Sequence, residues 1–386
     1  MTDRTPDPQR LHIVLLGERN SGKSSLLNAI AGQKAAIVSD VPGTTTDCVS
    51  KPIEIPGLGP CVLVDTAGLD DCGELGFKRV QGTLEALRSA DIVLVVADAL
   101  TGRMPDVPDC SASVVIPVVN KAGDNTETST LETAMKKRFG KEAVRVNALN
   151  GEGIPALISA IQENIPEDWD TPLLTAGVAR EGDLVLLVMP QDSEAPKGRL
   201  ILPQQQTIRE LLDRHCRIVC CQPSSLQDTL ASLKDTPTAI IADSQVLAQI
   251  GPLKPEGCTL TSFSILLAAA KGDITYFKKS AEAIDRLGED SRVLIAEACT
   301  HVPASEDIGR VKIPALLRQR AGNGLRVDVV SGRDFPVDLR PYDLVIHCGA
   351  CMFNRRYVLS RVEQARKQGV PMTNYGVAIA YIKNLL

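Results

Sequence analysis

Short apolar runs, each closing in a polar turn, recur along the chain. Between residues 11 and 165, LHIVLLG, CVLVDTAG, DIVLVVAD and VVIPVVNK alternate with helical segments such as SLLNAIAG. Unbroken apolar strands separated by helices predict a parallel sheet covered on both faces. The segment IPEDWDTPLL, residues 165–174, is polar, carries two prolines and the only Trp, and reads as a linker. The pattern restarts with the strand GDLVLLVMP, the helix QTIRELLDRH and the strands RIVCCQP and TAIIAD. It restarts again near Phe263 with the helix SFSILLAAA. The strands RVLIAEACTH, LRVDVVSG and DLVIHCGAC then alternate with the helices VKIPALLRQR, RYVLSRVEQARKQG and YGVAIAYIKNLL. The predicted fold class is α/β: a parallel-sheet domain over residues 1–168, then two smaller α/β domains over 176–262 and 263–386. At about 150 residues per domain, a chain of 386 residues suits two or three domains.

Composition narrows the classes. Hydrophobic residues at 44% and charged residues at 23% are ordinary globular values, which excludes a disordered chain, a collagen and a disulfide mini-protein. No apolar run reaches 18 residues, so no membrane partner is expected. The polar start MTDRTPDPQR shows no signal peptide, and a cytoplasmic location is expected. A net charge of −5 and 3% aromatics disfavour nucleic acid as a partner. The middle domain carries no catalytic motif, and GDLVLLVMP has the potential of an exposed strand. A homodimer through sheet-edge pairing of this domain is therefore expected.

The first strand runs into Gly17-Glu18-Arg19-Asn20-Ser21-Gly22-Lys23-Ser24, which fits G-x-x-x-x-G-K-[ST] between a strand and a helix. Backbone N–H groups there cradle phosphates, Lys23 supplies charge to the β/γ oxygens, and the Ser24 hydroxyl ligates Mg²⁺. Ser25 belongs to the same nucleotide-binding set. Three later segments extend the pattern: the polar loop Val41-Pro42-Gly43-Thr44-Thr45-Thr46-Asp47, Asp65-Thr66-Ala67-Gly68 at a strand end, and Asn120-Lys121 at another. Asp65 is placed to hold a Mg²⁺-bound water, and the Gly68 N–H to reach the γ-phosphate. Together these resemble the GTPase signature set of the translation-factor-related branch that includes Era and TrmE. That resemblance implies GTP as the nucleotide, Thr45 as a second Mg²⁺ ligand and Asn20 as a ligand of K⁺. Lys23, Thr45, Asp65 and Gly68 are the expected catalytic group. Two features depart from the pattern. Asp124 stands one residue later than the usual Asn-Lys-x-Asp, which puts guanine selectivity in question. Leu69 stands where Ras-like enzymes carry a water-orienting Gln, so hydrolysis is expected to be slow. Asn147-Ala148-Leu149 resembles the loop that backs the base, with Ala148 at the nucleotide.

Eleven Cys in a chain without an export signal points away from disulfides. Cys61, Cys110, Cys220 and Cys221 read as small buried hydrophobes. Cys299-Thr300-His301 and His347-Cys348-Gly349-Ala350-Cys351 differ, because two of the four His fall within them. Both stretches follow apolar strands, and strand carboxyl ends in a parallel sheet gather together. Three thiolates suit an iron–sulfur cluster; a zinc site and a metal-free redox C-x-x-C are the alternatives.

A GTPase domain followed by C-x-H…H-C-x-x-C, with LPQQQTIRELLD in the middle segment, resembles the HydF family of FeFe-hydrogenase maturation GTPases. The resemblance implies a scaffold that binds a 4Fe-4S cluster through Cys299, Cys348 and Cys351. The fourth iron is left to His301, His347, water or an outside ligand. It further implies a diiron cargo received with two radical-SAM maturases and handed to apo-hydrogenase. A second class stays open: an RNA- or ribosome-linked assembly GTPase with C-terminal zinc.

Overall fold

The computed structural model describes residues 9–32, 49–66, 74–108, 114–123, 126–166, 169, 172–190, 200–298, 307–332 and 334–385. The chain forms two compact units, Met1–Asp170 and Thr171–Leu386.

The first unit runs β1 (Leu11–Leu16), α1 (Lys23–Gly32), β2 (Val49–Ile55), β3 (Gly59–Asp65), α2 (Glu74–Arg88), β4 (Ile92–Asp98), β5 (Val114–Asn120), α3 (Ser129–Phe139), β6 (Val144–Arg145) and α4 (Ile154–Glu163). Its sheet has the order β2-β3-β1-β4-β5-β6. All neighbours are parallel except β2, which joins β3 antiparallel at the edge. Alternate side chains of a strand face opposite ways, and β1 shows the result. Leu11, Ile13 and Leu15 pack with Leu26 and Ile30 of α1 and Leu157 and Ile161 of α4. Val14 and Leu16 pack on the other face with Leu87 of α2 and Met135 of α3. The apolar pattern does not reveal β2, because Pro52 interrupts it. A proline lacks a ladder donor and is tolerated where this strand lies, at an edge.

The second unit runs β7 (Leu184–Val188), α5 (Leu202–Asp213), β8 (Arg217–Cys221), α6 (Leu226–Ser232), β9 (Ala239–Ala242), α7 (Leu247–Ile250), β10 (Thr259–Ser262) and α8 (Phe263–Lys271). It continues with α9 (Ile274–Ala281), β11 (Arg292–Glu297), α10 (Ile313–Ala321), β12 (Arg326–Ser331), β13 (Leu344–His347), α11 (Arg355–Lys367), β14 (Met372–Asn374) and α12 (Tyr375–Ile382). Two parallel four-stranded sheets result, β10-β9-β7-β8 and β12-β11-β13-β14. Helix α8 belongs to both layers: Phe263 and Leu266 enter the core of the first sheet and Ala268 that of the second. Ser262 starts it by accepting the Ile265 N–H (3.2 Å).

Two expectations need correction here. GDLVLLVMP does not form a sheet edge: β7 is paired on both sides and buried throughout, and the free edges of its sheet are β8 and β10. Cys220 is exposed and Cys221 half-buried rather than buried; both lie on β8, an edge strand of its sheet. Cys61 is buried as expected, and burial pushes its thiol up to about 12. Among the described residues, no helix is long and apolar enough to cross a membrane.

Trp169, the only Trp, packs against the core that contains Leu94. Leu94→Ala should therefore lower the unfolding free energy of this unit by about 2–5 kcal/mol, read by Trp fluorescence in urea. Leu100→Ala, at a side chain 72% exposed, should change it by no more than about 0.5 kcal/mol.

Candidate functional sites at two sets of strand ends

In the first unit the polar residues that end β1, β3, β4 and β5 meet at the carboxyl edge of the sheet, where parallel α/β folds bind ligands. Gly17 leaves β1 beneath a backbone: a Cβ there would lie 2.3 Å from Val96 O. Asn20 takes the left-handed conformation (φ 63°), which Asn tolerates better than most residues. Gly22 (φ 88°) has Asn120 Nδ2 where a Cβ would stand, at 2.3 Å. Helix α1 starts at Lys23, whose ammonium folds back onto Gly17 O (2.9 Å) and Glu18 O (2.8 Å). Ser21 is buried, and its hydroxyl has no partner among the described residues. Ser24 and Ser25 are exposed on the first turn of α1.

The Ser24 hydroxyl donates to Asp65 Oδ2. Asp65 Oδ1 is buried without a partner among the described residues. Burial raises the Asp65 carboxyl above its ordinary value, against the opposing pull of Ser24 and Lys23. A hydroxyl beside a carboxylate with one free oxygen is a donor set that suits a hydrated Mg²⁺.

Asn120 ties this loop to the opposite wall. Its Nδ2 donates to Ser21 O (3.0 Å), and its Oδ1 accepts the Ala148 N–H (3.1 Å). Lys121 reaches Asn20 O and Asp98 Oδ2, each at 2.7 Å. Asn147 Oδ1 accepts the Leu149 N–H (3.1 Å), so its amide shapes its own turn. Beyond Lys121, Gly123 and Thr126 exchange hydrogen bonds of 3.1 and 3.0 Å. Thr45, Gly68 and Asp124 lie outside the described residues.

In the second unit β11 and β13 are neighbours, with Ala296 opposite His347. The Ala298 N–H donates to Cys348 Sγ at 2.9 Å, and the Ala350 N–H approaches the same sulfur at 3.4 Å. The residue before Cys299 is thus hydrogen bonded to the Cys348 thiol. Cys299 and His301 themselves lie outside the described residues. Cys351 is half-buried and Cys348 buried. Among the described residues, no three His, Cys, Asp or Glu side chains gather as a metal site. A sulfur that accepts N–H donors, on a turn ending in a second Cys, nevertheless fits a thiolate of an iron–sulfur cluster.

His347 is 1% exposed, and both its ring nitrogens are engaged. A guanidinium can only donate, so Arg361 Nη1 gives its proton to Nε2 (2.9 Å) and Nδ1–H donates to Cys348 O (2.7 Å). Burial, aided by the Arg361 charge, lowers the imidazole to about 3 and keeps it neutral. As a cluster ligand His347 would first have to give up one of these bonds, so in this arrangement it is a strut under Cys348. Arg361 is buried on α11 between the rings of Phe335 (4.5 Å) and Tyr357 (4.6 Å). Lys271, at the end of α8, is buried with its ammonium on three carbonyls: Ala350 O (2.8 Å), Cys351 O (3.3 Å) and Phe353 O (2.7 Å). Burial lowers it to about 8, and the two thiols oppose that shift.

Neither Lys271 nor Arg361 is anticipated from the sequence. A signal exists for Arg361: it falls on the apolar stripe Tyr357, Val358, Val362, Ala365, where a charge is out of place. Lys271 closes an apolar helix and looks like an ordinary basic last turn.

Loop, strand ends and fold of the first unit define a P-loop GTPase domain, and residues 12–136 match the family model described as 50S ribosome-binding GTPase. Residues 174–272 match the hydrogen maturase F dimerization domain, and residues 275–386 the hydrogen maturase F tetramerization domain. The chain belongs to the hydrogen maturase F (HydF) family.

Among curated relatives, the tRNA modification GTPase MnmE of Nitrosomonas europaea is 32% identical over 188 residues, 47% of this chain and 41% of that protein. The MnmE of Methylorubrum populi is 40% identical over 153 residues, 39% of this chain and 31% of that protein. The chain thus spans less than half the length of these relatives. Among solved structures, Era of Aquifex aeolicus is 21% identical over 55% of this chain and 92% of its own, with a TM-score of 0.35. The G domain of T. maritima FeoB is 24% identical over 40% of this chain and 98% of its own, with a TM-score of 0.28.

Lys23→Ala should abolish binding of a fluorescent GDP analogue. Asn120→Ala, which cuts the loop from its wall, should weaken that binding at least about tenfold, equivalent to about 1.4 kcal/mol. Unchanged affinity in the Asn120 variant would mean that the wall does not shape the site.

Proposed function

We propose that the chain is a metallocluster scaffold and carrier in FeFe-hydrogenase maturation, with a slow GTPase as its switch. The observation that carries this reading is the hydrogen bond from Ala298, the residue before Cys299, to Cys348 Sγ. Membership of the hydrogen maturase F family supports it. The division of labour is residues 1–168 for GTP, 176–262 for a homodimer and 263–386 for the cluster. The partners are two radical-SAM maturases and apo-hydrogenase, and the setting is the cytoplasm.

In the GTP site, the N–H groups from Gly17 to Ser25 hold the phosphates and Lys23 balances their charge. Ser24 and Thr45 would hold Mg²⁺, Asp65 would orient a water on it, and the Gly68 N–H is the expected partner of the γ-phosphate. Asn120, Lys121, Asp124 and Ala148 bound the base. With Leu69 in place of a Gln, charge on the transferring phosphate has to be met otherwise; Asn20 would hold a K⁺, whose positive charge would lie beside the phosphates. In the second unit, Cys299, Cys348 and Cys351 would hold three irons. A bound 4Fe-4S cluster would supply one iron without a thiolate, open to a bridging group of the diiron cargo. The chain's own part is to fix Cys348, its sulfur by Ala298 and Ala350 and its carbonyl by His347 and Asn374 Nδ2 (3.1 Å). With its nitrogens so used, His347 cedes the open iron to His301, water or an outside ligand.

After anaerobic reconstitution, Cys299→Ala, Cys348→Ala and Cys351→Ala should each lose most cluster iron and all hydrogenase maturation. Full iron loading in all three variants would refute the site. GTP hydrolysis should be faster in potassium than in sodium at matched ionic strength, and equal rates would remove K⁺ from the account.

A further inference from the structure

A buried ammonium is costly unless its donors and charge are answered. All three donors of Lys271 are answered by carbonyls of one short segment, Ala350, Cys351 and Phe353. Three carbonyl partners match the three protons of –NH₃⁺, so the geometry is that of the charged form. None of the three carries a formal negative charge. The segment they belong to holds Cys351 and follows Cys348, and Ala350 within it adopts a left-handed φ of 50°. That conformation costs a non-glycine residue energy and persists only where its surroundings enforce it. The Ala350 N–H points at Cys348 Sγ while the Ala350 carbonyl takes the Lys271 proton, so one peptide segment links the cation to the sulfur. A second buried cation, Arg361, has neutral partners among the described residues: His347 Nε2, Gly332 O (2.7 Å) and Tyr357 Oη (2.9 Å).

A positive charge fixed beside a pair of thiols is complementary to an anion formed there. Each electron added to a thiolate-ligated cluster adds one negative charge, and net charge and hydrogen bonding to sulfur set its potential. We propose that Lys271 is a positioning residue of the cluster: it locks the Ala350–Phe353 turn and places a buried positive charge that favours the reduced cluster. This rests on the reading that Cys348 and Cys351 bind a 4Fe-4S cluster.

The test compares wild type, Lys271→Gln and Lys271→Met, reconstituted anaerobically with ferrous iron and sulfide. Each is titrated with dithionite under EPR, with circular dichroism as the fold check. Lys271→Gln keeps a donor and removes the charge; it should retain iron. Its reduction equilibrium should become at least tenfold less favourable, about 59 mV more negative for a one-electron couple. Lys271→Met takes the ammonium donor from all three carbonyls, of which Ala350 O keeps the Phe353 N–H (3.1 Å), and should lose iron as well. A loaded Lys271→Gln with the wild-type potential, or a Lys271→Met with both wild-type iron and wild-type potential, would overturn the proposal. So would failure of both variants to fold, because Lys271 would then support the domain at large. A wild type that takes up no iron and sulfide would instead defeat the cluster reading itself.

Discussion

A strand covered on both faces can place polar groups only at its ends, because a buried polar side chain without a partner costs several times what a satisfied one returns. Both units are built from such strands. β1 and β4 are apolar along their buried length, and chemistry begins where they stop, at Gly17 and at Asp98. β11 and β13 repeat the arrangement, with Ala298 and Cys348 meeting just past their ends. Because neighbouring strands are parallel, these ends fall on one edge, so residues far apart in sequence become neighbours without any long-range element of their own.

That constraint explains what the sequence made legible. Apolar runs marked most strands, and the polar residues closing them marked the phosphate loop, Asp65, Asn120 and the Cys motif. What stayed hidden is whatever the runs do not encode. Strand order is one example: the same apolar segment reads as edge or interior, and β7 proved interior. Short or polar strands are another. β10 (Thr259–Ser262) and β14 (Met372–Asn374) lack an apolar run, yet β14 contributes Asn374, which holds Cys348 O. The buried cations are a third, since Lys271 and Arg361 sit in helices whose basic residues look like solvated surface.

The two sites are braced in the same way. In the first, the Asn120 amide joins Ser21 to Ala148, so loop and wall form one piece. In the second, His347 joins Arg361 to Cys348 O. Each uses a side chain that sequence alone assigns to ligand contact to hold backbone in place. Preorganised backbone costs little to reorganise when a ligand arrives.

The measurement that bears most directly on this account is metal and sulfide analysis, with an EPR spectrum, of wild-type protein purified without oxygen. The account predicts brown protein with about four iron and four sulfide per chain, and a signal on reduction characteristic of a single cluster. Colourless protein carrying zinc and no sulfide would contradict it.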